Sequence, residues 1–456
     1  MATLSIKLQQ HTPIIHFQHY QEGATLRASE LKPKLDKFLI DKFKKEHIDY
    51  KRWLIGDNKD ALNYKVKIIY NGESWKDYIE NPIENKDPRT IKDHKFVQKP
   101  PSEDGTVSTK TDPYPLFFGN MGKDYEKEKS IKKFVLAKDN IELNIQSFNP
   151  GLIETIKNNF NDFIALENFG SRQDKGFGSF YIYEKDENYK PISETLFDYK
   201  FKVITNSTSN LKQKFTSIFT QVDLFYRALR TGINLKDFHG NDKFYFKSLL
   251  FLYFKNKNIQ WEKKTIKENF FLKDVTKRDG SILYYGLNTQ KTNRPLSDAL
   301  KYSNNNKKLV KDLFGLSTEE SWLSYKNRIS KIEARADHRT KKDKQEEQIE
   351  RFKSPIIFKI VEENTSGDYI VYIKLIEEIP IKGKWFIIEG KLHWQQLPLQ
   401  IPKDFSLHDF FDFITDKSKF NITKHVESIF QTNPDGSLTY EYKTLKNIFD
   451  NITKIE

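Results

Sequence analysis

The 456-residue chain contains no cysteine. Disulfides, thiolate nucleophiles and zinc sites built on sulfur are therefore excluded, which suits a reducing compartment. No apolar run approaches bilayer-spanning length, and the opening MATLSIKLQQHTP lacks the apolar core of a signal peptide. The expectation is a soluble cytoplasmic protein with no membrane partner, since no amphipathic helix confines its lysines to one face. Histidine is sparse and scattered, and only His11, His16 and His19 cluster. Strand alternation puts His11 and His16 on opposite faces with no carboxylate cluster beside them, so packing or surface roles are the simpler reading. Neither a metal site, a cofactor nor a catalytic triad is expected.

What the chain does carry is positive charge and rings. Lysine and arginine number 76 against 63 acidic residues, a net +13, and 14% of residues are aromatic. Cations neutralise phosphates and ring faces stack on bases, so the pairing favours a nucleic-acid partner. A genome rich in A and T would also raise the lysine content. The length suffices for two domains, each with its own core.

The most informative stretch is Phe169 to Phe180, FGSRQDKGFGSF, with three glycines, Arg172 and Lys175. Gly170, Gly176 and Gly178 permit positive φ, and exposed N–H groups in such a loop can cradle an anion. A helical pattern precedes the loop and a strand pattern follows it. Walker-type and dinucleotide-binding loops run in the opposite order, strand before helix, and are excluded. What remains is a basic loop able to follow a nucleic-acid backbone, or a plain turn.

Read in order, Leu4 to Phe17 alternates as a strand and leads to a helix with Pro33 in its first turn and Leu35, Phe38, Leu39 and Phe43 along its stripe. Arg27, Ser29, Lys32 and Lys34 surround the start of that helix, where the dipole favours phosphate. Val66 to Tyr70 reads as a strand. Glu73 to Lys133 reads as an irregular insert with twelve basic and twelve acidic residues, including the apolar run Pro113 to Gly122. Lys133 to Ala137 and Ile141 to Phe148 suggest a hairpin, Leu152 to Asn168 a helix, and Tyr199 to Ile204 a strand closing the first domain. Leu211 to Leu229 is the clearest helix, ended by Gly232. A buried helix is expected over Lys243 to Phe254, a solvated charged stretch over Tyr325 to Glu350, and strands over 351–361, 369–376, 385–388 and 391–394. Glu389 and Gly390 read as a hairpin turn, and helices near Leu407 to Ile414 and Tyr442 to Ile452 close the chain.

Three stretches together resemble the RAMP superfamily of CRISPR-associated proteins: the first strand running into LRASELKPKLDKFL, the loop GSRQDKGFGSF, and DLFG at Asp312 to Gly315 followed by RFKSPIIF from Arg351. Within the superfamily the chain most resembles the first subunit of the type III-B Cmr effector complex. That resemblance implies an α+β fold of two ferredoxin-like (RRM-like) RAMP domains, over 1–205 and 206–456, with an irregular insert around 73–133 and a helical one around 211–327. It implies a non-catalytic subunit that holds CRISPR guide RNA, and possibly target RNA, beside other RAMP subunits in antiviral defence. Carried over by position, the RNA contacts are Arg27, Ser29, Lys32 and Lys34; Gly170, Ser171, Arg172, Lys175, Gly176, Phe177 and Gly178; and Arg351, Lys353 and Ser354. Two alternatives stand beside it. One is a metal-independent endoribonuclease using a histidine among His11, His16 and His19. The other is a scaffold without RNA contacts. Target cleavage by Asp174 fits poorly with a loop that grips guide RNA.

Overall fold

A computed structural model describes residues 1–15, 25–56, 60–77, 134–203, 205, 210–236, 242–270, 274–276, 282–284, 307–322, 327–334, 349, 351–363, 367–390 and 396–456. His16, His19, the run Pro113 to Gly122 and most of the expected insert and charged stretch lie outside these residues.

The first unit begins with β1 (Ala2–Gln10), in which buried Leu4, Ile6 and Leu8 alternate with exposed Thr3, Ser5 and Lys7. It continues through α1 (Ala28–Lys45), β2 (Lys65–Ile69), β3 (Ile141–Ser147), α2 (Pro150–Leu166) and β4 (Phe180–Ile182). The strands form one antiparallel sheet in the order β4-β1-β3-β2. Asn149 caps α2 by accepting the Leu152 N–H at 3.2 Å, and Pro150 fills a position whose N–H has no helical partner. Leu31, Leu35, Leu39 and Phe43 of α1 meet Ile156, Phe160 and Phe163 of α2 in the core of this unit.

The second unit repeats the path. It runs β5 (Tyr199–Val203), α3 (Leu211–Arg230), β6 (Ile356–Glu362), β7 (Tyr369–Leu375), α4 (Tyr440–Asn451) and β8 (Thr453–Lys454), with antiparallel strand order β8-β5-β7-β6. The chain is thus a strand, helix, two strands, helix and strand, taken twice. Long insertions follow α3 and β7, and they fold together. Strands from the first insertion (Glu319–Trp322, Asn327–Glu333) and the second (Trp385–Glu389, Gln396–Gln400) lie in a single six-stranded sheet.

Several expectations are corrected. Tyr199–Val203 does not close the first sheet; it is a central strand of the second, bonded to Tyr369–Leu375. Phe134–Ala137 and Ile141–Ser147 do not form a hairpin, because the former pairs with Ile14–Ile15 and Ser74–Asp77 in a separate small sheet. The insertion expected to be helical is mixed: Asp242–Phe246 is a strand and the helix starts only at Leu249. Trp385–Glu389 pairs with Gln396–Gln400, so the turn is longer than Glu389 and Gly390. Pro33 sits inside α1, which starts at Ala28. The Ser29 carbonyl, four residues earlier, loses its helical donor as a result.

The two units meet through an unusual lysine. On β6, Phe358 and Ile360 face α3 and the core of their own unit, while Lys359 points to the first unit, where neighbouring Val361, Ile370 and Tyr372 also pack. Lys359 is fully buried, and its Nζ donates to the carbonyls of Ile164 (2.7 Å), Glu167 (2.8 Å) and Phe180 (2.8 Å). Three acceptors match the three protons of an ammonium. Burial drives its pKa well below the ordinary lysine value, and the Glu167 carboxylate opposes that shift. Replacing it by methionine keeps the apolar stem and leaves three carbonyls without a donor. Lys359→Met should therefore lower the unfolding free energy by about 3 kcal/mol, read as a fall in the urea midpoint. A loss below about 0.5 kcal/mol would show that these bonds do not hold the units together.

Candidate nucleic-acid interface

The glycine loop lies in the seam between the units. Gly170, Gly176 and Gly178 all have positive φ (81°, 85° and 65°), and Arg172 is also left-handed at 55°. A Cβ on Gly176 would lie 2.4 Å from the Ile360 side chain of β6, and one on Gly178 would lie 1.9 Å from the Phe169 carbonyl. The glycines are therefore dictated by packing. Their N–H groups are committed as well: Gly170 donates to Glu30 of α1, Ser171 to the Ile15 carbonyl, Gly176 to Gln173 and Gly178 to Pro13. The expected cradle of glycine N–H groups is thus not offered to a ligand. Phe177 is buried, stacked face to face on Phe219 of α3 at 3.6 Å, with no place for a base on that face. What the loop leaves partly exposed is side chains, those of Ser171, Arg172, Gln173 and Asp174, all half-buried, together with the stem of Lys175.

The start of α1 comes against this loop, but its lysines are engaged. Lys34 donates to Glu167, to the Asn168 carbonyl and to Gln173, clamping α1 to the loop. Lys32 pairs with Asp36 at 2.6 Å and donates to the Leu62 carbonyl. Arg27 is the N-cap residue of α1, and Ser29 is exposed in its first turn.

On the other side the loop faces the last turns of α3. Lys175 lies over the Tyr226 ring, its Nζ sealed from solvent with no hydrogen-bond partner among the described residues. The carboxylate of Asp174 is 3.8 Å away. Burial pushes the Lys175 ammonium down to about 7; Asp174 and Asp223 oppose the shift, and Arg230 and Arg172 add to it. Burial likewise raises Asp223, against the pull of Arg227, Lys175 and Arg172. The Tyr226 hydroxyl donates to the Phe314 carbonyl at 2.6 Å, with Ser354 and Arg230 beside it. Arg230 donates to the carbonyl of Gly315, the glycine of DLFG, at 2.6 Å. Arg351 and Lys353 are exposed, and the Phe352 carbonyl between them passes next to Gly315. The structure therefore brings the glycine loop, DLFG and the RFKS segment around one point, the Tyr226 ring. Arg227 and Arg230, which complete the basic cluster, escaped the sequence reading. Their signal was two arginines three residues apart at the end of the clearest helix.

DLFG itself is structural. Asp312 is buried and accepts both of its bonds from Lys331 (2.8 and 2.7 Å), which also pairs with Glu320 at 2.8 Å. Nearby Glu262 is raised to about 7 by burial and accepts the N–H groups of Val310 and Lys311. His11 is buried, accepts the Glu362 N–H at 3.2 Å, and is lowered to about 3, first by burial and then by Lys359. Among the described residues no group of three metal-ligating side chains could hold an ion, and no helix is long and apolar enough to cross a membrane.

These features define an α+β protein with a twice-repeated strand and helix path and a glycine-rich loop of the first repeat packed into the seam beside a basic cluster. Residues 1–233 match the family model of the Cmr1 N-terminal domain, and residues 245–435 that of the Cmr1 C-terminal domain. The chain belongs to the Cmr1 family, the family of a subunit of the type III-B Cmr complex. Among solved structures it is similar to the apo crystal structure of Cmr1 from Pyrococcus furiosus, with 12% identity, a TM-score of 0.32, and coverage of 82% of this chain and 88% of that one. No curated protein matches the sequence.

Two outcomes check this account. Gly367 has a φ of 70° with open space around it, so Gly367→Ala should cost only the left-handed strain, about 1 kcal/mol. Gly178→Ala adds a collision with backbone and should cost at least about 2 kcal/mol more, measured by urea unfolding. For His11 the folded pKa lies below the unfolded value of about 6.5. Its contribution to stability is complete above that pH and falls by about 1.4 kcal/mol per unit as the solution is acidified. His11→Gln, which keeps an acceptor for the Glu362 N–H, should flatten the pH dependence between about pH 6 and 4 by one proton.

Proposed function

We propose that this chain is the RNA-binding, non-catalytic subunit of a type III-B Cmr complex, with the other Cmr subunits as neighbours, and that it holds guide RNA by its backbone. The observation that carries the reading is the convergence of Arg172, Lys175, Arg227 and Arg230 at the seam between the two units. The repeated strand order supports reading both units as ferredoxin-like RAMP domains. RNA is gripped by side-chain cations, because the glycine N–H groups are spent inside the protein. Stacking on an open sheet in the RRM manner is disfavoured, since the outward face of β1, β2 and β3 presents residues such as Ser5, Lys67 and Asn144 and no aromatic ring. A ribonuclease acting through His11 is disfavoured by that residue's burial as a neutral acceptor.

Arg172→Ala combined with Lys175→Ala should weaken single-stranded RNA binding. Each lost phosphate contact lowers the slope of log affinity against log salt by about 0.7, with sequence preference unchanged. Unchanged affinity and slope would overturn the placement of the site. Incubation with repeat RNA and a chelator should leave the RNA intact; a discrete product would favour the endoribonuclease.

A further inference from the structure

The Lys175 side chain stands apart from other lysines of the fold. Lys32, Lys34, Lys311 and Lys331 each have a carboxylate or carbonyl within bonding distance. Lys175 has only the Tyr226 ring, the Phe358 ring at 5.9 Å and a carboxylate at 3.8 Å, and its Nζ is shut off from water. A buried ammonium lacking hydrogen bonds is among the costlier arrangements in a protein, and the molecule relieves that cost by shedding the proton. The loop that carries it leads to half-buried Arg172, whose charge does not titrate in the physiological range.

We propose that phosphate binding at this seam draws the Lys175 amine from over the Tyr226 ring to the bound anion, and that the amine takes up a proton from solvent as it moves. The inference rests on the RNA-binding reading and adds a regulation to it: affinity for a phosphate backbone is coupled to pH through one side chain. Several charged groups and rings face Lys175. From its own loop these are Arg172 and Asp174; from α3 they are Asp223, Tyr226 and Arg230; and Phe358 of β6 adds a ring. Histidine is absent from this set. The withdrawn amine is held down to about 7 by burial, whereas an amine on a phosphate regains an ordinary lysine value, so the coupling operates on the alkaline side of neutrality.

The test uses the full chain and a single-stranded oligoadenylate, whose bases do not titrate at neutral or alkaline pH. Fluorescence anisotropy at fixed ionic strength gives affinity against pH, and calorimetry in two buffers of different ionisation heat gives proton uptake directly. Wild-type affinity should fall as pH rises above about 7, approaching tenfold per unit, with uptake of up to one proton on binding. Lys175→Arg, charged throughout, should bind with no such slope, and Lys175→Met should bind more weakly with no slope. Flat wild-type affinity without proton uptake, or the same slope in Lys175→Arg, would overturn the coupling while leaving the RNA-binding reading intact. Absence of RNA binding by the wild type at every pH would remove that reading and the inference with it.

Discussion

The architecture depends on one ammonium group meeting three carbonyls. A helix ends with carbonyls that have no partner within it, and an edge strand presents backbone groups along its open side. Lys359 answers both needs at once: it takes up the Ile164 and Glu167 carbonyls at the end of α2 and the Phe180 carbonyl at the start of β4. The negative end of the α2 dipole favours a cation at that point. Asn168 extends the same seam by donating to the Phe358 carbonyl of edge strand β6 at 2.8 Å. The sheet face of the second unit that would otherwise meet water is thereby sealed against the first.

From that docking follows the character of the glycine loop. It has to pass between β6, α3 and the segment around Ile15, and only residues without Cβ fit where the backbone meets Ile360 and Ile15. Its amides and its Phe177 ring are used for cohesion. On the proposed reading, contact with RNA would fall to the side chains of the seam, where Arg172 and the covered Lys175 meet Arg227 and Arg230 of α3.

Much of this could be read in the sequence because periodicity is a local property. The steps of four and three from Phe215 to Leu229 gave α3 nearly to its ends, and Gly232 does stop it with a φ of 75°. The helix-loop-strand order around Gly170 was also legible. Sheet membership was not, since the alternation in Tyr199–Val203 reads the same whichever sheet accepts it, and only tertiary pairing placed it beside Tyr369–Leu375. The single lysine within the apolar run IIFKIV was the available sign of Lys359. A buried cation declares itself only when its acceptors, nearly two hundred residues distant in the chain, are in place. In the same way the engagement of Lys32 and Lys34 was hidden, because a lysine in a basic stretch looks alike whether it faces solvent or a carboxylate.

The two units follow one path yet are not interchangeable at the seam. In the first, thirteen residues of loop separate α2 from β4; in the second, Ile452 alone separates α4 from β8. The first unit therefore contributes a loop and a helix end, and the second contributes a sheet face and the arginines of α3. Such docking is heterologous, so the repeat does not generate a second copy of the basic cluster. Lys175 is the one lysine of that cluster, so the proposed response to pH rests on one side chain. It is held where solvent reaches only its flank, with 14% of the side chain exposed and the nitrogen covered. A guanidinium in the same place would keep its charge and bear the full cost of burial, so a lysine costs less at this position than a fourth arginine beside Arg172, Arg227 and Arg230.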